Sequence, residues 1–129
     1  MVEGSFRLPH ILLAEDDATN RRVAMLMLKR LGYNADAVSN GREAIQAIER
    51  RKYDLVLMNI VMPEIDGLEA TREIRKLGQK GLKIIAITAY VFPGAREMCM
   101  EAGMDDYLPK PMSISDLASA IKKVRHICD

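Results

Sequence analysis

The stretch DLVLMNIVMPEIDG, residues 54–67, decides the fold. Its residues 55–58 form an unbroken apolar run with the length and composition of a strand buried on both faces. Asn59 ends that run. Pro63, the acidic Glu64 and Asp66, and then Gly67 break the strand and lead into an amphipathic segment that starts at Leu68. Asn59 is therefore expected where a central strand opens into a loop. In an open parallel sheet that end borders the ligand crevice, because helices cover both faces.

Working outward toward the N-terminus, Ile11, Leu12 and Leu13 form a second apolar run that stops at Glu15, Asp16 and Asp17. Apolar residues at Val23, Met27 and Leu31 then mark a helix, with Asp17 as a plausible N-cap and Gly32 as a left-handed end. Residues 34–39 read as another strand. Asn40 to Glu43 resembles a capping box ahead of a helix whose buried stripe is Ala44, Ile45 and Ile48.

Toward the C-terminus, Leu68, Thr71, Ile74 and Leu77 outline a helix closed by Gly78 and Gly81. A fourth strand, KIIAIT at 83–88, ends in the hydroxyl of Thr88. Ala95, Met98, Cys99 and Ala102 mark a short helix closed by Gly103, and residues 106–109 a brief strand followed by Lys110. Ile114, Leu117, Ile121 and Val124 give a last helix, capped by Ser113 or Ser115. Strands alternating with helices imply right-handed crossovers and a parallel sheet. The expectation is a doubly wound α/β domain over 10–127, five parallel strands in order 2-1-3-4-5, with residues 1–9 as a flexible lead-in. Its topological switch brings the loops after Leu13 and Met58 to one crevice.

Composition narrows the function. The 129 residues are 49% hydrophobic and 29% charged, with a formal net charge of +1, so neither nucleic acid nor an anionic membrane surface is an expected partner. Cys99 and Cys128 stand far apart without a histidine pattern, which argues for reduced thiols rather than a zinc site. No apolar stretch is long enough for a signal or a membrane span, and the expected location is the cytoplasm. His10 and His126 are isolated, and neither sits in the helical-bundle context a phosphotransfer histidine needs.

Glu15 with Asp16, Asn59, Thr88 and Lys110 thus converge from four strand ends. An acidic group such as Glu15, Asp16 and Asp17 is, alone, more often a solvated loop or a cap. Its coincidence with Thr88 and Lys110 outweighs that. From LLAEDDATNRR through LVLMNIVMPEIDG and IIAITA to DDYLPKP, in order over 11–124, the chain resembles the receiver domain of two-component response regulators and hybrid histidine kinases. The resemblance implies a flavodoxin-like fold and an aspartate at the third strand's end that accepts a phosphoryl group from a histidine kinase or phosphotransfer protein. It also implies Mg²⁺ held by Asp16 directly, by Glu15 largely through water and by the Val61 backbone carbonyl, with Asn59 at the same pocket. Lys110 and Thr88 would stabilise charge on the moving phosphoryl group, Pro111 would follow a cis peptide, and Tyr107 would rotate in the switch. Tyr107 is equally well explained as packing at a sheet edge. A homodimer through the face of the fourth helix, fifth strand and fifth helix is a further implied partner.

Asn59 departs from the family pattern. It stands where the resemblance places the phosphoacceptor aspartate, and Asp54 does not replace it, because Asp54 begins the strand. A neutral carboxamide is a poor nucleophile toward phosphorus, so phosphorylation should be blocked. Mg²⁺ binding should weaken, although the amide oxygen is still a ligand, and the metal-free fold should gain from reduced repulsion. Two origins stay open: a deliberate aspartate-to-asparagine block, making this a phosphoacceptor mutant, or a natural pseudo-receiver that binds proteins independently of phosphorylation. The retained Glu15, Asp16, Thr88 and Lys110 favour a block or recent loss. An enzyme is a poor reading, since a phosphatase would need an acid at 59 and a flavin phosphate would meet the negative 15–17 loop. Among the methionines, Met98 is expected to fill core at least as readily as to face a partner, and Met100 to be the better interface candidate.

Overall fold

The computed structural model describes residues 8–89 and 91–128, with side chains described as far as Val124. Of the expected lead-in at 1–9, only Leu8 and Pro9 fall within the described residues, and the side chains of His126 and Cys128 fall outside them. Five strands alternate with five helices: β1 His10–Ala14, α1 Ala18–Arg30, β2 Asn34–Val38, α2 Gly41–Arg50, β3 Leu55–Asn59, α3 Gly67–Lys76, β4 Lys83–Thr88, α4 Ala95–Ala102, β5 Asp106–Pro109 and α5 Ile114–Cys128. The sheet order is β2-β1-β3-β4-β5, and the four pairings are parallel. The fold is the expected doubly wound one.

The continuous apolar runs follow from burial on two faces. Successive strand residues alternate sides, so Leu12, Val56, Met58, Ile84 and Ala86 pack with Ala44, Ile48, Ile74 and Cys99 of α2, α3 and α4. Ile11, Leu13, Leu55, Leu57, Ile85 and Ile87 pack on the other side with Ala24, Leu28, Leu117, Ile121 and Val124 of α1 and α5. Helix ends obey local chemistry. The Asp17 side chain caps α1 by accepting from Asn20 N at 2.8 Å. Asn40 caps α2 from the Glu43 N–H, while the Glu43 carboxylate accepts from Ser39 N and Ser39 Oγ, which hold its pKa below the usual value. At α5 the choice falls on Ser113: its Oγ accepts from Asp116 N and its own N–H donates to the Asp116 carboxylate, a reciprocal capping box.

Three sequence expectations are corrected. The core face of α1 is Ala24 and Leu28, whereas Val23 is 46% exposed and Met27 and Leu31 are only half-buried. The helix is rotated by about one position because small Ala24 can approach the sheet where a larger side chain cannot. Leu77 is the exposed C-cap of α3 instead of the end of its buried stripe. Met98 is 42% exposed, while Met100 packs against the core, which reverses the order expected for the two.

At the end of the sheet where β4 begins, Arg75 of α3 fastens four elements together. It donates to Gly103 O after α4, to Leu82 O before β4, and to the Asp105 carboxylate before β5. Asp105 in turn accepts from Ile84 N.

Candidate functional site

The C-terminal ends of β1, β3, β4 and β5 border one crevice of about 590 Å³, lined among others by Glu15, Asp16, Asn59, Val61, Thr88 and Lys110. Each is placed by its strand. The register that pairs Ala14 with Met58 sets Glu15 beside Asn59, and Asn59 pairs with Ile87, one residue before Thr88. Lys110 follows β5, its backbone N–H donating to Thr88 O at 2.7 Å, and the Lys110–Pro111 peptide is cis. The loop after β3 folds back tightly: Gly67 N donates to Ile60 O at 2.8 Å, and a Cβ on Gly67 would lie 2.3 Å from Asn59 O. Only glycine fits there.

The polar groups of the crevice are mutually satisfied. Glu15 is 4% and Asn59 6% exposed. Glu15 Oε1 accepts from Lys110 Nζ at 2.8 Å, and Glu15 Oε2 from Asp17 N and Asn59 Nδ2, each at 3.1 Å. The same Asn59 Nδ2 lies 3.0 Å from Asp16 Oδ1 and 3.1 Å from Val61 O. An oxygen in its place would face three acceptors with no proton between, so the surroundings dictate that the nitrogen points inward. Arg21 Nη1 donates to Glu15 O at 2.9 Å, fixing the acidic loop against α1. Sequence reasoning missed Arg21. Its only signal was a basic pair one turn after an acidic run.

The structure therefore brings together Glu15, Asp16, Asn59, the Val61 carbonyl, Thr88 and Lys110. Tyr107 does not line that crevice. It is half-buried beside Thr88, Phe92, Met98 and Cys99 along a neighbouring cavity of about 360 Å³. Burial pushes both the Tyr107 hydroxyl and the Cys99 thiol above their usual pKa values.

Three hard oxygen donors meet at one point, which suits Mg²⁺ in kind. The arrangement does not fit the ion as it stands, because an amide N–H donor occupies the point where those oxygens converge. Among the described residues, no group of three or more His, Cys, Asp or Glu side chains could hold a metal.

Against known proteins, the response regulator receiver domain family matches residues 11–122. The chain belongs to that family. It is similar to Probable histidine kinase 1 of Oryza sativa subsp. indica, 36% identical over 145 aligned positions covering 88% of this chain and 15% of that protein. It is also similar to Sensor protein GacS of Pseudomonas syringae pv. syringae, 36% identical over 92% of this chain and 14% of that protein. The chain spans 11–16% of the length of curated relatives such as the Oryza sativa kinase, Histidine kinase 5 of Arabidopsis thaliana and Hybrid signal transduction histidine kinase F of Dictyostelium discoideum. Among solved structures, the receiver domain of sensor histidine kinase PA1611 from Pseudomonas aeruginosa PAO1 aligns with a TM-score of 0.81 at 41% identity, covering 91% of this chain and 97% of that one. That domain holds a magnesium ion in its active site cleft. Response regulator TrrA from Thermotoga maritima, in complex with Mg²⁺-BeF, aligns with a TM-score of 0.81 at 35% identity, covering 91% and 99% of the two chains. This chain is a receiver domain of a two-component system, similar to the receivers of hybrid histidine kinases.

Proposed function

We propose that this receiver takes part in a phosphorelay as a module that does not itself accept phosphoryl groups, because Asn59 stands at the phosphoacceptor position. The observation that carries the reading is the Asn59 carboxamide at the end of β3, its nitrogen donating to Glu15, Asp16 and Val61 O. An amide nitrogen has its lone pair delocalised, and attack through the amide oxygen leaves no stable acyl phosphate. Thr88 and Lys110 sit where a hydroxyl and an ammonium would stabilise charge on a transferring phosphoryl group, and Tyr107 borders Thr88 as the switch aromatic. Mg²⁺ binds weakly, since the amide must turn before its oxygen can join Asp16 and the Val61 carbonyl. The partners are a sensor histidine kinase or a phosphotransfer protein, in the cytoplasm, and both a stand-alone regulator and a hybrid histidine kinase are compatible parents.

The test is exposure to a small phosphodonor with intact-mass detection. The chain should stay unmodified and Asn59→Asp should gain one phosphoryl group. A stable adduct on Asn59 would refute the reading. Failure of Asn59→Asp to label would show a site degraded beyond position 59.

The saturated hydrogen bonding of the crevice supports a second reading, a pseudo-receiver that binds its partner independently of phosphorylation. It requires the same partner affinity for the chain and for phosphorylated Asn59→Asp. For a homodimer, the proposed surface is the face of α4, β5 and α5, where Asp106 joins the three elements through Arg96 at 3.3 Å and Lys123 at 3.9 Å. Sedimentation of the chain and of Asp106→Ala tests that surface.

A further inference from the structure

We infer that the Asn59 carboxamide is a built-in substitute for the divalent cation, holding the crevice assembled without metal and making the domain's stability indifferent to Mg²⁺. The inference rests on the reading of the crevice as a receiver's phosphorylation site. It goes beyond weakened binding, because it assigns Asn59 a positive task.

Three of the oxygens that converge in this pocket already share the two protons of the Asn59 amide nitrogen. Glu15 is held on both carboxylate oxygens, by the Lys110 ammonium on one side and by the Asp17 N–H with the Asn59 amide on the other. Asp16 Oδ1 and Val61 O converge on the same amide nitrogen. The three oxygens stand 3.0–3.1 Å from that nitrogen, whereas Mg²⁺ binds oxygen at about 2.0–2.1 Å. To enter at that point, the ion must turn the amide away and draw Asp16 Oδ1 and Val61 O inward by roughly 1 Å, while Glu15 is reached through water. The arrangement also balances charge. Lys110 offsets the buried Glu15, and the amide N–H lies against the exposed Asp16, so the one buried carboxylate of the pocket is paired.

An aspartate in the same place would reverse each term. It would bring a third carboxylate within hydrogen-bond distance of two others and offer no proton to Asp16 or Val61 O. That pocket would repel itself until a cation neutralised it. The amide therefore supplies, from within the chain, what a metal supplies to an acidic pocket.

The experiment is thermal unfolding of the chain, Asn59→Asp and Asn59→Ala, each in EDTA and in a MgCl₂ titration. The chain should keep its midpoint to within about 1 °C across the titration. In EDTA, Asn59→Asp should melt about 3–6 °C lower and recover saturably with Mg²⁺, and Asn59→Ala should melt lower than the chain without that recovery. Two results would overturn the inference: a Mg²⁺ stabilisation of the chain as large as that of Asn59→Asp, or an Asn59→Ala as stable in EDTA as the chain. Phosphodonor labelling separates this from the receiver reading. An Asn59→Asp stabilised by Mg²⁺ but never labelled keeps the amide's role and removes the phosphorelay site, whereas a labelled Asn59→Asp beside a Mg²⁺-responsive chain does the opposite.

Discussion

Replacing Gly67 by alanine tests how the loop after β3 is built. An added Cβ would lie 2.3 Å from Asn59 O, 2.9 Å from Ile60 Cα and 3.0 Å from Asn59 C, all backbone atoms that cannot swing aside. Restoring an ordinary contact requires a shift of roughly 1 Å between α3 and the end of β3. Overpacking of this kind costs about 1–3 kcal/mol. Disturbing the Gly67 N–H bond to Ile60 O adds about 0.5–1.5 kcal/mol. The smaller entropy of the unfolded alanine chain returns about 0.4–1 kcal/mol. At the middle of these ranges the net is a loss of about 2 kcal/mol, with extremes of about 0.5 and 4, and the central value lowers the melting midpoint by roughly 6–10 °C in a domain of this size. Gly78→Ala is the control. Its φ of +73° strains an alanine, but among the described residues nothing lies within 4 Å of the added Cβ, so the cost is about 1–2 kcal/mol. Urea and thermal unfolding of both variants decide the matter. If Gly67→Ala is no less stable than Gly78→Ala, the close approach is not what requires glycine at 67.

Lys110→Met leaves the buried Glu15 carboxylate without its ammonium, at a cost of about 1–3 kcal/mol because the lysine is partly exposed; an unchanged urea midpoint would show that the pair contributes nothing. Asp36 is held below its ordinary pKa first by the Tyr53 hydroxyl at 2.7 Å and then by the charges of His10 and Arg51. A depressed carboxylate stabilises the fold above its unfolded value of 3.8 and loses that contribution as pH falls through the folded value. Tyr53→Phe should therefore lower stability at neutral pH, by less than about 1 kcal/mol for so exposed a carboxylate, and the gap should shrink on acidification. A gap that stays constant down to about pH 2 would refute that linkage. Thr71 is fully buried and its hydroxyl has no hydrogen-bond partner among the described residues. Thr71→Val, nearly the same shape, should raise stability by about 1 kcal/mol, and a lower urea midpoint would mean that the hydroxyl is satisfied in solution.

Much of this architecture is legible in the residues because each strand is an apolar run ended by a polar side chain, and the end residues are the crevice. Glu15, Asn59, Thr88 and Lys110 can all be picked out in that way. Side-chain direction cannot. Nothing in the letters says that the Asn59 nitrogen faces inward, because that follows from three acceptors contributed by segments up to 44 positions away. Arg21 was hidden for a related reason, since it binds a backbone carbonyl that carries no sequence signature. The facing of α1 misled because the residue that seats it, Ala24, is too small to stand out among Val23, Leu26 and Met27. Met98 misled because α4 is short and lies half outside the core, where an apolar letter does not imply burial.

The Arg75 clasp has a mechanical consequence for α4. Its guanidinium seizes the carbonyl of Gly103, so the far tip of that helix is anchored to α3 and to the entries of β4 and β5. The opposite tip starts at Gly94, in a left-handed conformation with no side-chain cap, on the side where β4 empties into the crevice. Eight residues make a rod of roughly 12 Å, pivoted at one extremity and loosely tethered at the other. The end of the helix nearer Thr88 thus lacks the side-chain clamp that fixes the far end, and its first turn carries the exposed Met98.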